Sequence, residues 1–154
     1  MRNMSRRLQI LLGVTMLVVA AFVSLQIIPP EKISPDYKYP GNPPVDQQFQ
    51  WNSPQTEQLV RAACYDCHSN ETRYPWYAHI APSSWLINYD VNIARDALNF
   101  STLGKSEIDL NDMIDLIQEG AMPKSIYLPL HSEANLSPEQ KTQLIAGLRA
   151  TFGS

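Results

Sequence analysis

The longest uninterrupted apolar run of the chain lies near its N-terminus, from Leu8 to Ile28, and holds no charged side chain. As an α-helix its 21 residues would extend roughly 31 Å, about the thickness of the hydrocarbon core of a bilayer. Arginines precede the run and the Pro29-Pro30 pair follows it. The pattern predicts a retained signal anchor, a single transmembrane helix, over residues 1–28.

The same run has two other interpretations. A cleaved signal peptide shares the charge pattern, but its apolar core is shorter and ends at small residues, which Val19-Ala20-Ala21 matches only weakly. A core helix of a soluble protein is less suitable, because this run is apolar on every face. The arginine-rich end is expected to stay in the cytoplasm. We therefore expect a bacterial cytoplasmic membrane protein whose C-terminal part is extracytoplasmic, or periplasmic.

A proline-rich stretch follows the apolar run. Seven of the twelve prolines lie between Pro29 and Pro54, and such a composition favours an extended, semi-rigid chain. We predict a spacer over residues 29–53. Part of it should fold back onto the remaining chain, because some of its residues are too apolar for a solvated linker. These residues are Tyr37, Tyr39, Phe49 and Trp51.

Residues 54–154 show apolar positions at helical spacing and no sustained alternation of apolar and polar residues, so we predict an all-α domain. Signals for helix starts occur at Ser53-Pro54, Pro82-Ser83, about Ser106 and Ser137-Pro138. The first helix would carry Cys64 at its C-terminal end. The third should stop at Gly120, a residue suited to the position after a helix.

Charge is distributed unevenly along the chain. Arg2, Arg6 and Arg7 precede the apolar run, whereas all 15 acidic residues lie from Glu31 onward, together with nine basic ones, which gives 9 − 15 = −6. Nucleic acid and anionic lipid are bound through clustered Lys and Arg, and this part of the chain has no such cluster. We expect no nucleic-acid partner and membrane contact only through the anchor.

The motif Cys64-Tyr65-Asp66-Cys67-His68 has the CxxCH spacing of covalent haem attachment. Such attachment needs two thiols that add across the porphyrin vinyl groups and an imidazole that reaches the iron. The motif predicts one covalent haem c on Cys64 and Cys67, with His68 as the proximal ligand. The chemistry is completed outside the cytoplasm, where the anchor would send this domain.

Three other uses of the motif are less suitable. A structural zinc ion takes four ligands, and only His79 and His131 could supplement the motif. A thioredoxin-type pair needs a βαβ context, which the pattern lacks. A disulfide between Cys64 and Cys67 would close a very small loop and leave His68 without a role.

Met122 is the candidate for the sixth, distal iron ligand. It follows the predicted helix stop, and Pro123 holds it in an extended loop, 54 residues after His68. A thioether favours Fe(II) and would raise the reduction potential. The alternative is a loop methionine that packs on the haem face without binding iron. Other candidates are less favoured: Met113 belongs to an apolar helix stripe, and His79 and His131 are loop histidines.

Residues after the motif could contact the porphyrin. Arg73 could pair with a haem propionate, and Trp76 could form part of the pocket wall, beside Tyr74 and Tyr77. Lys124 is another possible propionate partner. Ordinary packing explains these residues equally well. An acidic run could dock a basic redox partner, although such a run is more often a solvated helix face; it comprises Glu107, Asp109, Asp112, Asp115 and Glu119.

Two segments, Ala62 to Leu86 and Glu119 to Ser137, resemble the bacterial haem-binding domain proteins, which are short exported chains with one CxxCH. The resemblance covers most of the chain after the spacer. It implies a monohaem cytochrome c-like fold and carries over Cys64, Cys67 and His68 as haem residues. We therefore expect a class I cytochrome c-like domain in which the first and last helices pack together beside the haem.

The distal loop matches that family in part. Met122-Pro123 corresponds to the family's Met-Pro step, and His131 to the histidine that recurs after it. The chain has Lys124 where the family usually has a second proline, and Ser132 where it has a proline after the histidine. These departures concern the distal loop and leave the attachment motif intact.

The sequence thus predicts one-electron transfer with redox proteins of a respiratory chain, without a small-molecule substrate and without enzymatic activity. The first alternative is a haem-based sensor or a haem enzyme, such as a peroxidase, with an open or displaceable distal site. A haem-bearing accessory subunit that scaffolds a respiratory complex is the second alternative. The Met122-Pro123 step separates the electron carrier from the first alternative.

Overall fold

The computed structural model describes residues 5–46, 48, 50–102 and 108–153, and in these ranges regular secondary structure is entirely helical. The prediction of an all-α chain is therefore confirmed for the described part. Its α-helices are α1 (Arg6–Ile27), α2 (Pro54–Ala63), α3 (Tyr65–His68), α4 (Ser83–Ala97), α5 (Leu110–Gln118) and α6 (Pro138–Phe152). Short 3₁₀ turns cover Pro30–Lys32, Pro35–Tyr37, Trp76–His79, Leu128–Leu130 and Ser132–Ala134.

The chain forms two compact units. The first unit comprises Met1–Tyr39 and Pro75–Tyr89, and the second comprises Pro40–Tyr74 and Asp90–Ser154. The predicted division into anchor, spacer and domain at residues 28 and 53 stays a prediction.

α1 dominates the first unit. Its N-cap is Ser5, whose hydroxyl accepts a hydrogen bond from the Leu8 amide at 3.4 Å. The helix has 22 residues, none of which is buried, and it is long and apolar enough to cross a membrane. It ends at Ile27, one residue before the end predicted from the apolar run.

The remainder of the first unit is built on aromatic contacts. Tyr37 stacks on Trp85 with ring centroids 6.5 Å apart, and it meets Tyr89 edge-on at 5.8 Å. The Asn88 side-chain amide donates to the Tyr37 carbonyl at 3.1 Å. The predicted return of aromatic spacer residues is thus confirmed at Tyr37.

The core of the second unit lies between α2, α5 and α6. Its largest fully buried side chains include Phe100, Leu144 and Leu148. α2 and α6 approach closely because residue 147 is a glycine: a Cβ atom there would overlap the buried side chain of Thr56. The first and last helices of this unit therefore pack directly on each other.

Local capping signals set the N-terminal starts of α2 and α6 as predicted. The Ser53 hydroxyl accepts from the Thr56 amide at 3.2 Å, with Pro54 at the first helical position. Ser137 and Gln140 form a complete capping box at the start of α6. Because these groups satisfy amides that have no partner within the helix, the start of each helix is fixed by its own sequence.

α5 begins later than the predicted start. Ser106 lies outside the described residues, and the helix begins at Leu110 after its N-cap, Asp109. The Asp109 carboxylate accepts from the Asn111 and Asp112 amides, both at 3.1 Å, which fixes this start. The predicted stop at Gly120 is confirmed, since this glycine has φ +73° just after the helix.

The end of the predicted spacer also folds back. The Trp51 ring contacts Phe100 and Phe152 edge-on, with centroids 5.6 Å apart in each pair. Trp51 is therefore part of the core periphery of the second unit. Phe49, predicted to do the same, lies outside the described residues.

Candidate functional site

The Cys motif is held where α2 gives way to the single turn α3. The Cys64 amide still donates to the Val60 carbonyl of α2 at 2.9 Å, and the Cys64 carbonyl accepts from the His68 amide at 2.8 Å. One turn of hydrogen-bonded backbone therefore separates Cys64 from the adjacent Cys67 and His68. The two cysteines are not joined to each other by a disulfide.

The orientation of His68 is set by the segment after α4. The His68 imidazole Nδ1 lies 3.0 Å from the Leu98 carbonyl, and the Phe100 amide donates to the His68 carbonyl at 2.8 Å. Since a carbonyl can only accept, Nδ1 carries the proton and Nε2 keeps its lone pair. Burial lowers the pKa of His68, against the opposing effect of the Leu98 hydrogen bond. The neutral imidazole is therefore favoured, which is the form that binds a metal.

Both thiols are kept protonated by their surroundings. Burial raises the pKa of Cys64 to about 12, with a further contribution from Cys67. Burial also raises the pKa of Cys67 to about 11, with contributions from the Asp90 and Asp66 carboxylates. Because the thiolate is the reactive form, neither side chain is poised for nucleophilic attack in the folded protein.

Two of the cavities beside the motif border both Cys64 and His68. The larger measures about 240 Å³ and the smaller about 140 Å³. Their walls have six residues in common: Ala63, Cys64, His68, Ala97, Met122 and Pro123. A thiol, an imidazole and a thioether therefore border the same space. The larger cavity extends into the apolar core toward Phe100 and Leu144, and the smaller extends toward Cys67.

Met122 reaches these cavities because the chain reverses after α5. Gly120, in its left-handed conformation, ends the helix, and the Ala121 and Met122 amides donate to the Leu116 carbonyl at 3.0 and 3.1 Å. Met113 packs partly buried against the core, as predicted, and also lines the larger cavity. Both methionines therefore border this site.

A buried carboxylate ties the distal loop to the motif. The Tyr127 hydroxyl donates to Asp66 Oδ2 at 2.8 Å, and the Arg73 amide donates to Asp66 Oδ1 at 3.1 Å. Burial, followed by the hydrogen bond to Asp66, raises the pKa of Tyr127. Tyr127 also lines the smaller cavity. Sequence reasoning missed both Asp66 and Tyr127, and the only signal was an acidic residue between the two cysteines.

A second link, an ion pair, holds the same distal loop to α4. Lys124 Nζ lies 2.7 Å from Asp90 Oδ1, and both residues line the smaller cavity. The Lys124 side chain is nearly half exposed and Asp90 is mostly buried. Lys124 stands where the resembled family usually has a second proline. In this chain it forms an ion pair with Asp90 of α4.

Replacing Tyr127 with phenylalanine should lower the free energy of unfolding by about 1–3 kcal/mol, because the substitution leaves a buried carboxylate oxygen without its closest donor. Urea unfolding followed by far-UV circular dichroism measures the change. The matched control is Tyr89→Phe, whose side chain is more than a third exposed and which should change the free energy little. Equal effects of the two substitutions would contradict a tie through Asp66.

The other predicted contact residues lie elsewhere. Arg73 borders neither cavity; its guanidinium pairs with Asp66 at 3.3 Å and its side chain is 68% exposed. Trp76 and His79 belong to the first unit and are exposed. The His131 ring stacks on Tyr127 with centroids 3.8 Å apart, and it borders neither cavity.

The acidic run on α5 faces solvent. Asp112, Asp115 and Glu119 are exposed, and Asp109 is the exposed N-cap of the helix. Glu107 lies outside the described residues. Exposure is consistent with the ordinary interpretation of a solvated helix face.

Within residues 5–46, 48, 50–102 and 108–153, no three His, Cys, Asp or Glu side chains converge as a metal site made of those residue types would require. A zinc site therefore has no ligand cluster in the described part of the chain. Among the residues that both cavities share, the donors are instead the sulfurs of Cys64 and Met122 and the His68 imidazole, a set suited to porphyrin iron.

Comparisons with known proteins agree with this chemistry. The family model described as a haem-binding domain matches residues 20–150. Cytochrome c peroxidase Ccp of Escherichia coli (strain K12) is 25% identical over 96 residues, which cover 57% of this chain and 21% of the peroxidase. The chain thus spans about a fifth of the length of that relative. No solved structure matches significantly.

Proposed function

Because the chain belongs to the haem-binding domain family, we propose that it is a membrane-anchored c-type cytochrome that transfers single electrons outside the cytoplasm. One covalent haem c would be attached to Cys64 and Cys67, with His68 as the proximal ligand and Met122 as the distal ligand. The observation that carries this proposal is the presence of Cys64, His68 and Met122 in the walls of the same two cavities.

The cavity walls suit such a group. When bound, haem supplies the one-electron chemistry, and the protein supplies ligands, burial and position. The Leu98 carbonyl holds the His68 ring by Nδ1 and leaves Nε2 for iron, an arrangement that also makes the imidazole a stronger donor. The apolar side chains of Phe100, Leu136 and Leu144 border the larger cavity and would exclude water.

The arrangement of helices supports a class I cytochrome c-like domain. α2 carries the motif at its end, and α6 packs across α2 at Gly147. The larger cavity borders residues of both helices, Ala63 and Leu144. In this proposal the first and last helices of the domain form the wall beside the haem.

Propionate binding is proposed for Lys124, which borders the smaller cavity, and for Arg73, as predicted from the sequence. Lys124 is the better-supported of the two, because Arg73 borders neither cavity. Redox proteins of a respiratory chain would be the partners. The exposed carboxylates of α5 offer a surface of suitable charge for a basic one.

A second candidate function is a haem enzyme or sensor with an open distal position. The similarity to a cytochrome c peroxidase favours it, although that similarity covers only a fifth of the peroxidase. In such a protein Met122 would leave the iron free for a peroxide or a gas. The distal residue therefore decides between the two functions.

An optical spectrum of the purified haem-loaded protein tests the proposal. We expect a weak far-red band of Met–Fe(III) ligation that Met122→Ala removes, and fast CO binding by the reduced protein only after that substitution. Met113→Ala is the matched control, since it removes the other cavity methionine and should keep the band. Fast CO binding by the unaltered protein would instead support the open-site alternative.

A further inference from the structure

The segment Pro75–Tyr89 has an unusual surface composition. Its 15 residues include no Asp, Glu, Lys or Arg. Several of its apolar side chains are nevertheless exposed: Trp76 is 76% accessible, Leu86 46% and Tyr89 38%. An uncharged surface with several large exposed apolar side chains typically marks a contact with another apolar phase.

This segment is attached to the end of α1. The Gln26 side chain makes two hydrogen bonds to the backbone of Ala81: Nε2 donates to the Ala81 carbonyl and the Ala81 amide donates to Oε1, both at 3.0 Å. Gln26 is the penultimate residue of α1, and Ala81 is almost completely buried. Ala81 therefore lies beside the last turn of the apolar helix.

The exposed apolar residues lie close to that point. α4 begins at Ser83, so Leu86 lies in the first turn of α4 and only five residues after Ala81. Trp85 is held in place by its stack on Tyr37. If α1 spans the membrane, these side chains stand at the level where hydrocarbon gives way to headgroups.

We propose that Pro75–Tyr89 lies against the bilayer surface as a second membrane contact, with Trp76 and Leu86 among the lipid headgroups. The proposal rests on the membrane anchoring of α1 that is part of the proposed function. Indole rings favour this interface, because one edge is polar and the remainder is apolar. The absence of Asp, Glu, Lys and Arg side chains avoids most of the cost of removing charges from water.

The contact would be apolar in nature. Residues Pro29–Tyr39 of the same unit carry Glu31 and Asp36 against Lys32 and Lys38, so they add no net charge. Anionic lipid therefore gains little by electrostatic attraction. The binding should be insensitive to salt, and continuity with α1 favours lipid over a protein as the occupant of this surface.

Spin labels at single introduced cysteines test this placement in the full, haem-loaded chain. Leu86→Cys reports the proposed surface, Leu17→Cys reports the middle of α1, and Gln143→Cys, one turn after Glu139 on α6, is the aqueous reference. Vesicles contain phosphatidylcholine and phosphatidylglycerol. Power saturation measures how accessible each label is to oxygen and to a water-soluble nickel chelate. Each value is taken relative to the same sample under nitrogen, so the relaxation caused by the haem iron cancels.

We expect an oxygen-to-nickel ratio several-fold higher at position 86 than at 143, highest at position 17, and unchanged by added salt. Trp76→Cys is a second reporter that removes one edge contact with Tyr77 but no buried packing, because this side chain is mostly exposed. If the label at position 17 lies within the bilayer while the labels at 86 and 76 are exposed to water, the second membrane contact is refuted and the anchoring by α1 stands. If the label at position 17 is itself exposed to water, both the anchoring and the second contact are refuted. Occlusion of position 86 from both reagents would identify a protein contact instead.

Discussion

Alanine at both Cys64 and Cys67 is expected to abolish covalent haem attachment, because each thioether needs one of these sulfurs and the chain has no other cysteine. The haem should then be removed by acidic organic extraction, and the polypeptide should lose its in-gel haem stain. Either single substitution should leave one thioether and shift the pyridine haemochrome band.

The control for this experiment is Gln58→Ala, an exposed position on the helix that leads into the motif. It should leave the stain and the haemochrome spectrum unchanged. Retention of acid-stable haem by the double alanine variant would refute the proposed role of the motif. Absence of covalent haem from the unaltered protein would refute it as well.

Phe100→Ala should destabilise the second unit by about 3–5 kcal/mol, the usual loss for a buried aromatic side chain replaced by alanine. Phe100 is 2% exposed, stacks on Tyr65 at 5.7 Å and meets Trp51 edge-on. Its amide also holds the His68 carbonyl, so the core and the candidate haem site share this residue. The truncation leaves a void next to the larger cavity.

Urea unfolding of the haem-loaded protein in detergent, followed by circular dichroism and by the Soret band, measures this loss. Leu130→Ala is the matched control in the same unit, since 70% of Leu130 is exposed and its truncation should cost little. Phe100→Leu should retain part of the lost stability. A loss below that of the Leu130 control would show that the ring does not support the core.

Much of the secondary structure is predictable from the chain because its signals are local. Helix caps and stops act within about four residues, so a short stretch of sequence is enough to predict them. Examples are the caps at Ser53 and Ser137 and the stop at Gly120. The start of α5 was misplaced because Asp109, one acidic residue among several, turned out to be the N-cap. Similarly, CxxCH is a local motif, and the covalent attachment it predicts is open to direct test.

The candidate site is predictable only in part. The sequence identified His68 and Met122 as possible ligands, 54 residues apart, and the structure places both on the walls of shared cavities. The sequence did not identify the residues that hold His68 and Met122 in place. His68 depends on the Leu98 carbonyl, 30 residues away, and backbone carbonyls carry no signature in sequence.

The sequence by itself therefore determined the apolar helix, most of the helix ends and the residue types available to bind haem, since each depends on neighbouring residues. Only the tertiary structure decided which side chains meet. Tyr127 reaches Asp66 across 61 residues and Gln26 reaches Ala81 across 55. Such pairs form because chain folding and burial bring distant donors and acceptors together, and a polar group buried away from water must then find its partner there.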